Sequence, residues 1–160
     1  MIQRIQSVYL LLASVLSVVG LCLPVAYIVV GRGDTTLEAS VMERVYNLWV
    51  SNASESGYSL TTWPLFVLLL AAAALTLYTI FAFRNRVVQA RLCLFISFLL
   101  LGWHLVFAVF SQVLVDALAG ESFQPAFGAF LPFVALLLTV LARRAIIADE
   151  KMVRAADRIR

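Results

Sequence analysis

The chain has 160 residues, 63% of them hydrophobic and only 13% charged, with a formal net charge of +3. A water-soluble domain is nearer half apolar and a quarter charged, and a core of this size cannot bury that much apolar surface, so the composition excludes an ordinary soluble domain. The basic residues sit in short segments beside apolar runs, a pattern that speaks of membrane orientation and not of the broad basic face that nucleic acid requires.

The first apolar run spans 8–30, after Arg4 and across Pro24. It is longer than the ~7–15-residue apolar region of a signal peptide, and no Ala-x-Ala-like cleavage site follows it. A lipoprotein signal at Cys22 is excluded by the bulky Leu21 before it. The run therefore reads as an uncleaved span, kinked at Pro24. The connection 31–62 comes next and is the only long one. Leu37, Val41, Val45, Leu48 and Trp49 recur at spacings of four, four, three and one, with Glu38, Glu43, Arg44 and Asn47 on the other face. This predicts a short amphipathic helix at the membrane interface, opened by a Thr35/Glu38 capping box and anchored by Tyr46 and Trp49. A pair of short strands is the alternative. Ser51 to Gly57 reads as an exposed turn, and its Asn52-Ala53-Ser54 sequon as ordinary turn residues.

Three further runs, 63–83, 92–115 and 126–142, are each near the ~20 residues a helix needs to cross the hydrocarbon core. They must be helical, because backbone polar groups find no water there. Short connections, 84–91 and 116–125, force antiparallel neighbours. The expected fold is thus an all-α membrane protein, residues 1–160 forming one four-transmembrane-helix antiparallel bundle with an outer loop and a helical tail, 143–160. Ten of the twelve Lys and Arg fall in the N-terminus, the 84–91 connection and the tail, and only Arg32 and Arg44 lie opposite. The positive-inside rule then makes both termini cytoplasmic. Cys22 and Cys93 should lie roughly 20 Å apart along the membrane normal, too far for the ~7 Å that a disulfide allows.

Small residues mark the faces expected inside the bundle: Ala13, Ser17, Gly20 and Pro24 in the first helix; Ser97, His104, Ala108 and Ser111 in the third; Gly128, Pro132, Ala135, Thr139 and Ala142 in the fourth. Lipid supplies no hydrophobic drive between helices, so close backbone approach and interhelical hydrogen bonds must help. His104 is the only histidine and, with Ser97 and Ser111, makes the candidate intramembrane polar site. Its competing role is a neutral packing residue, because no span supplies an Asp or Glu at depth and one His holds no metal. No catalytic, cofactor-binding or metal-ligating set is present, which leans away from an enzyme. Arg84, Arg86, Arg91, Arg143 and Arg144 are candidate contacts for anionic lipid headgroups or a partner, against a purely topogenic role. The tail carries Glu150–Arg154 and Arg154–Asp157 pairs and a thin apolar stripe, Met152, Ala156 and Ile159.

The opening Met1-Ile2-Gln3-Arg4-Ile5-Gln6-Ser7-Val8-Tyr9 and the closing Ala142-Arg143-Arg144-Ala145-Ile146 and Asp149-Glu150-Lys151-Met152-Val153-Arg154 are distinctive, and Arg84-Asn85-Arg86 and Arg91-Leu92-Cys93 fit between them. Together they resemble a family of small four-helix integral membrane proteins of unknown function from Bacteroidota. The resemblance covers essentially the whole chain and implies a bacterial inner-membrane location, but no activity or cofactor. The expected function is a non-enzymatic accessory or assembly subunit acting through its cytoplasmic face, with the bilayer, anionic lipids and a protein partner or a second copy as contacts and no nucleic acid. The alternative is a small transporter, channel or lipid-handling protein that uses the polar seam around His104.

Overall fold

The computed structural model describes residues 2–30, 41–52, 57–82, 85–117 and 120–157. Four helices in them, α1 (Ile2–Cys22), α2 (Trp63–Phe81), α3 (Arg86–Ala117) and α4 (Phe127–Asp157), are long and apolar enough to cross a membrane. Only 22–39% of each apolar stretch is buried within the chain. The rest is an outward belt of Leu, Val and Phe side chains, the surface a helix presents to lipid. The helices form a ring in chain order, α1 on α2, α2 on α3, α3 on α4, and α4 closing on α1.

The first apolar run is not one span. Helix α1 stops at Cys22, and Pro24 ends it instead of kinking it. The run continues as a strand, β1 (Ala26–Val30), rich in β-branched residues. Four more strands follow: β2 (Val41–Val45), β3 (Val50–Asn52), β4 (Gly57–Ser59) and, before α4, β5 (Gly120–Pro125). They form one antiparallel sheet in the order β4-β3-β2-β1-β5. The fold is therefore not all-α, and the expected amphipathic helix is overturned across 41–49. Along β2 the side chains alternate, Met42 and Arg44 outward, Glu43 and Val45 inward, a period of two and not 3.6. The strand alternative is the one the chain adopts there. Segment 116–125, expected to be a bare connection, supplies the end of α3 and an edge strand. The proposed Thr35/Glu38 cap and Arg32 lie outside the described residues.

The sheet closes the end of the bundle where α1 and α3 finish and α2 and α4 begin. Across its inner face Glu43, Ile28 and Phe123 stand in register. The ladders continue into the helix junctions through Val25 N–H to the Val45 carbonyl, 2.8 Å, and Ala126 N–H to the Val25 carbonyl, 2.9 Å. Sheet and bundle share one core, in which Val25, Ile28, Val45 and Val50 pack with Leu65, Leu69, Leu100 and Trp103. A second, smaller core at the opposite end joins Leu10, Cys93, Ala142 and Ile146. Both cysteines are free.

The small-residue seams are buried at Ala13, Ser17 and Gly20 of α1 and at Gly128, Pro132, Ala135, Thr139 and Ala142 of α4, as their spacing predicts, while Pro24, expected in the first seam, lies beyond α1 and is half-buried. The seam of α3 is not. Its inward face is Gln89, Cys93, Ile96, Leu100 and Trp103, while Ala108 is exposed and Ser97, His104 and Ser111 sit at the flank. Close approach is thus concentrated between α1 and α4. At Gly128 an added Cβ would fall well inside van der Waals contact with the Pro24 carbonyl oxygen and 3.2 Å from Leu23 Cβ. Gly102, by contrast, has open space around it. Gly128→Ala should therefore destabilise the protein by about 1–3 kcal/mol through forced displacement of the α1–β1 junction. Gly102→Ala should be neutral, or stabilising by about 0.5–1 kcal/mol through helix propensity. Unfolding followed by tryptophan fluorescence in detergent measures both.

Candidate functional site

Helix α1 ends inside the protein, so its last carbonyls need partners. Leu23 N–H takes the Val19 carbonyl at 3.2 Å. Asn47 takes the Gly20 carbonyl, its Nδ2 donating at 2.8 Å. The same amide accepts at Oδ1 from Trp103 Nε1 at 3.1 Å. Both residues are wholly buried, each 0% exposed. One side chain from the turn after β2 therefore ties α1, α3 and the sheet together, where the sequence had offered Asn47 as the solvent-facing side of a helix. The turn itself is closed by Tyr46 N–H to the Trp49 carbonyl, 2.8 Å, and is fastened to the start of α2 by Thr62 Oγ1 donating to the Tyr46 carbonyl, 2.9 Å.

Trp103 stacks on Phe107, centroids 5.2 Å apart and planes 7° from parallel, and Phe107 meets Phe123 of β5 at 5.9 Å. His104 lies beside this column, edge-on to Trp103 at 5.1 Å and to Phe133 at 6.0 Å. Its Nδ1 is 2.7 Å from the Leu100 carbonyl of its own helix. Ser97 Oγ donates to the Cys93 carbonyl at 2.8 Å and Ser111 Oγ to the Ala108 carbonyl at 2.7 Å. The three candidate polar residues of α3 thus each turn back onto α3. Ser17, Thr76, Thr79 and Thr139 likewise donate to carbonyls of their own helices.

At the opposite end the candidate arginines separate into different environments. Arg86 pairs with Asp149, 2.8 Å, with side-chain exposures of 30% and 14%. This pins the start of α3 to the extension of α4. Gln6 Nε2 donates to the Ala145 carbonyl at 3.1 Å and fastens the same extension to α1, while Gln89 Nε2 reaches the Thr79 carbonyl at 3.2 Å. Arg91 and Arg144 are exposed, and Arg143 is half-buried. Arg84 lies outside the described residues, as do the tail's side chains beyond Val153 and so its predicted charge pairs.

A cleft of about 560 Å³ opens on the sheet, lined by Arg44, Tyr46, Trp49, Ser51, Tyr58 and Leu60. Tyr46 and Trp49 lie 5.2 Å apart, and Trp49 meets Tyr58 edge-on at 6.5 Å. Its size is that of a small-ligand site, and its chemistry is aromatic faces beside one guanidinium. Sequence reasoning assigned Tyr46 and Trp49 to interfacial anchoring only. Residues 41–45, Val-Met-Glu-Arg-Val, do not alternate in polarity, since Met42 faces outward with Arg44 and Glu43 inward with Val45, so the sequence carried no signal for a strand face there.

Fold and polar contacts together define a bundle of four helices, each long and apolar enough to cross a membrane, closed at one end by an antiparallel sheet. The chain belongs to the family described as Domain of unknown function (DUF4293), which it matches over residues 2–159. No curated protein matches it.

Asn47→Ala leaves the Gly20 carbonyl and the Trp103 indole N–H buried without partners, at about 1–3 kcal/mol for each. A double-mutant cycle with Trp103→Phe, read by chemical unfolding in detergent, should give a coupling of about 0.5–3 kcal/mol.

Proposed function

We propose that the protein is a non-enzymatic accessory or assembly subunit of a membrane complex. It spans a bacterial inner membrane four times with both termini cytoplasmic, and it meets its partner through the projecting end of α4. The observation that carries this reading is the projection itself. Helix α4 continues to Asp157, well past the last turn of the apolar bundle. The Arg86–Asp149 and Gln6–Ala145 contacts hold it, and beyond them Met152 and Val153 stand 50% and 45% exposed. A helix that is anchored at its base and carries apolar side chains past the anchor is built to dock. The orientation is supported by charge, since ten of the twelve Lys and Arg belong to segments at that end.

The alternative, flux or lipid handling along the polar seam, rests on His104 Nε2, which is buried with no hydrogen-bond partner among the described residues. The hydroxyls of Ser97 and Ser111 weigh against it, because both are committed to carbonyls of α3 and do not extend a path from the imidazole.

Co-purification of the full chain in mild detergent, followed by mass spectrometry, should recover one reproducible partner or a second copy. The Met152→Glu/Val153→Glu variant should accumulate normally and lose that partner. Recovery of the wild type as a lone monomer under several gentle conditions, or retention of the partner by the variant, would defeat the proposal. Orientation is tested separately. Alkaline phosphatase fused into the β3–β4 connection should be active and a fluorescent protein fused after Arg160 bright; an inactive loop fusion with a dark tail fusion reverses the assignment.

A further inference from the structure

Helices α3 and α4 leave a groove of about 170 Å³ between them, lined by Leu94, Ser97, Phe98, Leu101, Val140 and Arg143. Two features of it bear on its occupant. The first is a polarity gradient. On α3, Arg91, Leu94, Phe98 and Leu101 share one face at helical spacing, with the charge at one end and about 15 Å of apolar side chain running into the membrane from it. On antiparallel α4, Arg143 lies at the same end and Val140 one turn deeper. Arg143 is the cation that lines the groove, and Arg91 precedes its α3 wall at the same end, so the groove passes from cationic to apolar in one direction. The second is the state of Arg143. Its Nε is buried and has no hydrogen-bond partner among the described residues, whereas Arg86 is engaged by Asp149. A guanidinium presents five donors in a fixed fork that suits a phosphate.

We propose that this groove binds one anionic phospholipid, with its phosphate on Arg143 beside Arg91 and an acyl chain laid along Leu94, Phe98, Leu101 and Val140. The occupant follows from position. The groove opens on the outward belt of a membrane bundle, where lipid is the solvent, and the cationic end sits at the level of the basic segments, where headgroups lie. The site needs no partner on the tail and stands apart from the docking role of Met152 and Val153.

The full-length protein, stripped of lipid in detergent, is titrated with phosphatidylglycerol or with phosphatidylcholine of the same acyl chains, and bound lipid is counted by native mass spectrometry. Phosphatidylglycerol should be retained in preference. Arg143→Gln should weaken it about fivefold or more. Arg144→Gln, one residue on and exposed, should leave it unchanged. Leu101→Trp should weaken it by filling the groove with every charge intact, and it decides the matter alone if Arg143→Gln fails to accumulate. Equal retention of the two lipids, equal losses in the two arginine variants, or full retention by Leu101→Trp would each overturn the proposal. So would displacement by glycerol phosphate as effective as that by the lipid, because the groove would then contribute nothing.

Discussion

The side-chain amide of Asn47 is the joint on which the two halves of this molecule depend. A helix that ends inside protein leaves carbonyls out of reach of solvent, which must find partners within the chain. Gly20 is such a position, and Asn47 supplies the donor. The amide's own oxygen would then be a buried acceptor in need of a donor, which Trp103 provides. Each polar group thus solves the problem raised by the one before it, and the chain of three crosses from α1 through the sheet to α3. Val25 and Ala126 extend the same connection by backbone bonds alone. The sheet is therefore part of the bundle's core and not an appended domain.

The two ends of the bundle are held by different chemistry. At the sheet end the links are buried and neutral, made by amide, indole and backbone groups in a shared apolar core. At the other end they include a partly exposed ion pair and glutamine-to-carbonyl bonds, Arg86–Asp149, Gln6–Ala145 and Gln89–Thr79. Between them the hydroxyls bond to their own helices. The middle of the bundle is thus packing surface, and the chemistry available to other molecules lies at the ends and along the outer grooves.

The helices were legible in the sequence because a bilayer demands about 20 apolar residues and tolerates few charges, and the small-residue spacing of α1 and α4 located their contact. Three features were not legible, each for a physical reason. A strand buried in the shared core is as apolar as a span, so β1 extended the first run without a break, and composition could not separate them. A spacing of four fits both a helix turn and two strand repeats, so Val41 and Val45 served either reading; Glu43, which lies on their side of β2, was the discordant residue. On α3 the small residues did not mark the interior, because Trp103 fills the space under the sheet and turns the Ile96–Leu100–Trp103 face inward. The Asn47–Trp103 pairing, 56 positions apart, has no local signature at all. The basic end was visible as charge, but which arginine is engaged and which is open depends on the packing of α4.

Helix α4 makes the two ends mechanically one. It starts against Pro24, at a contact so close that only glycine fits at position 128. It passes the buried Thr139 and Ala142, takes the Arg86 ion pair at Asp149, and ends at Asp157. Its thirty-one residues rise about 46 Å as one helix, interrupted in its hydrogen bonding only where Pro132 lacks an N–H. The close contact at Gly128 and the ion pair at Asp149 fix the helix at two points, and Met152 and Val153 lie just beyond the second. The groove at Arg143 lies on the same helix, between those two fixed points. One element thus carries the small-residue seam that packs on α1, one wall of the groove and the extension to Asp157, so all three share the same two points of attachment.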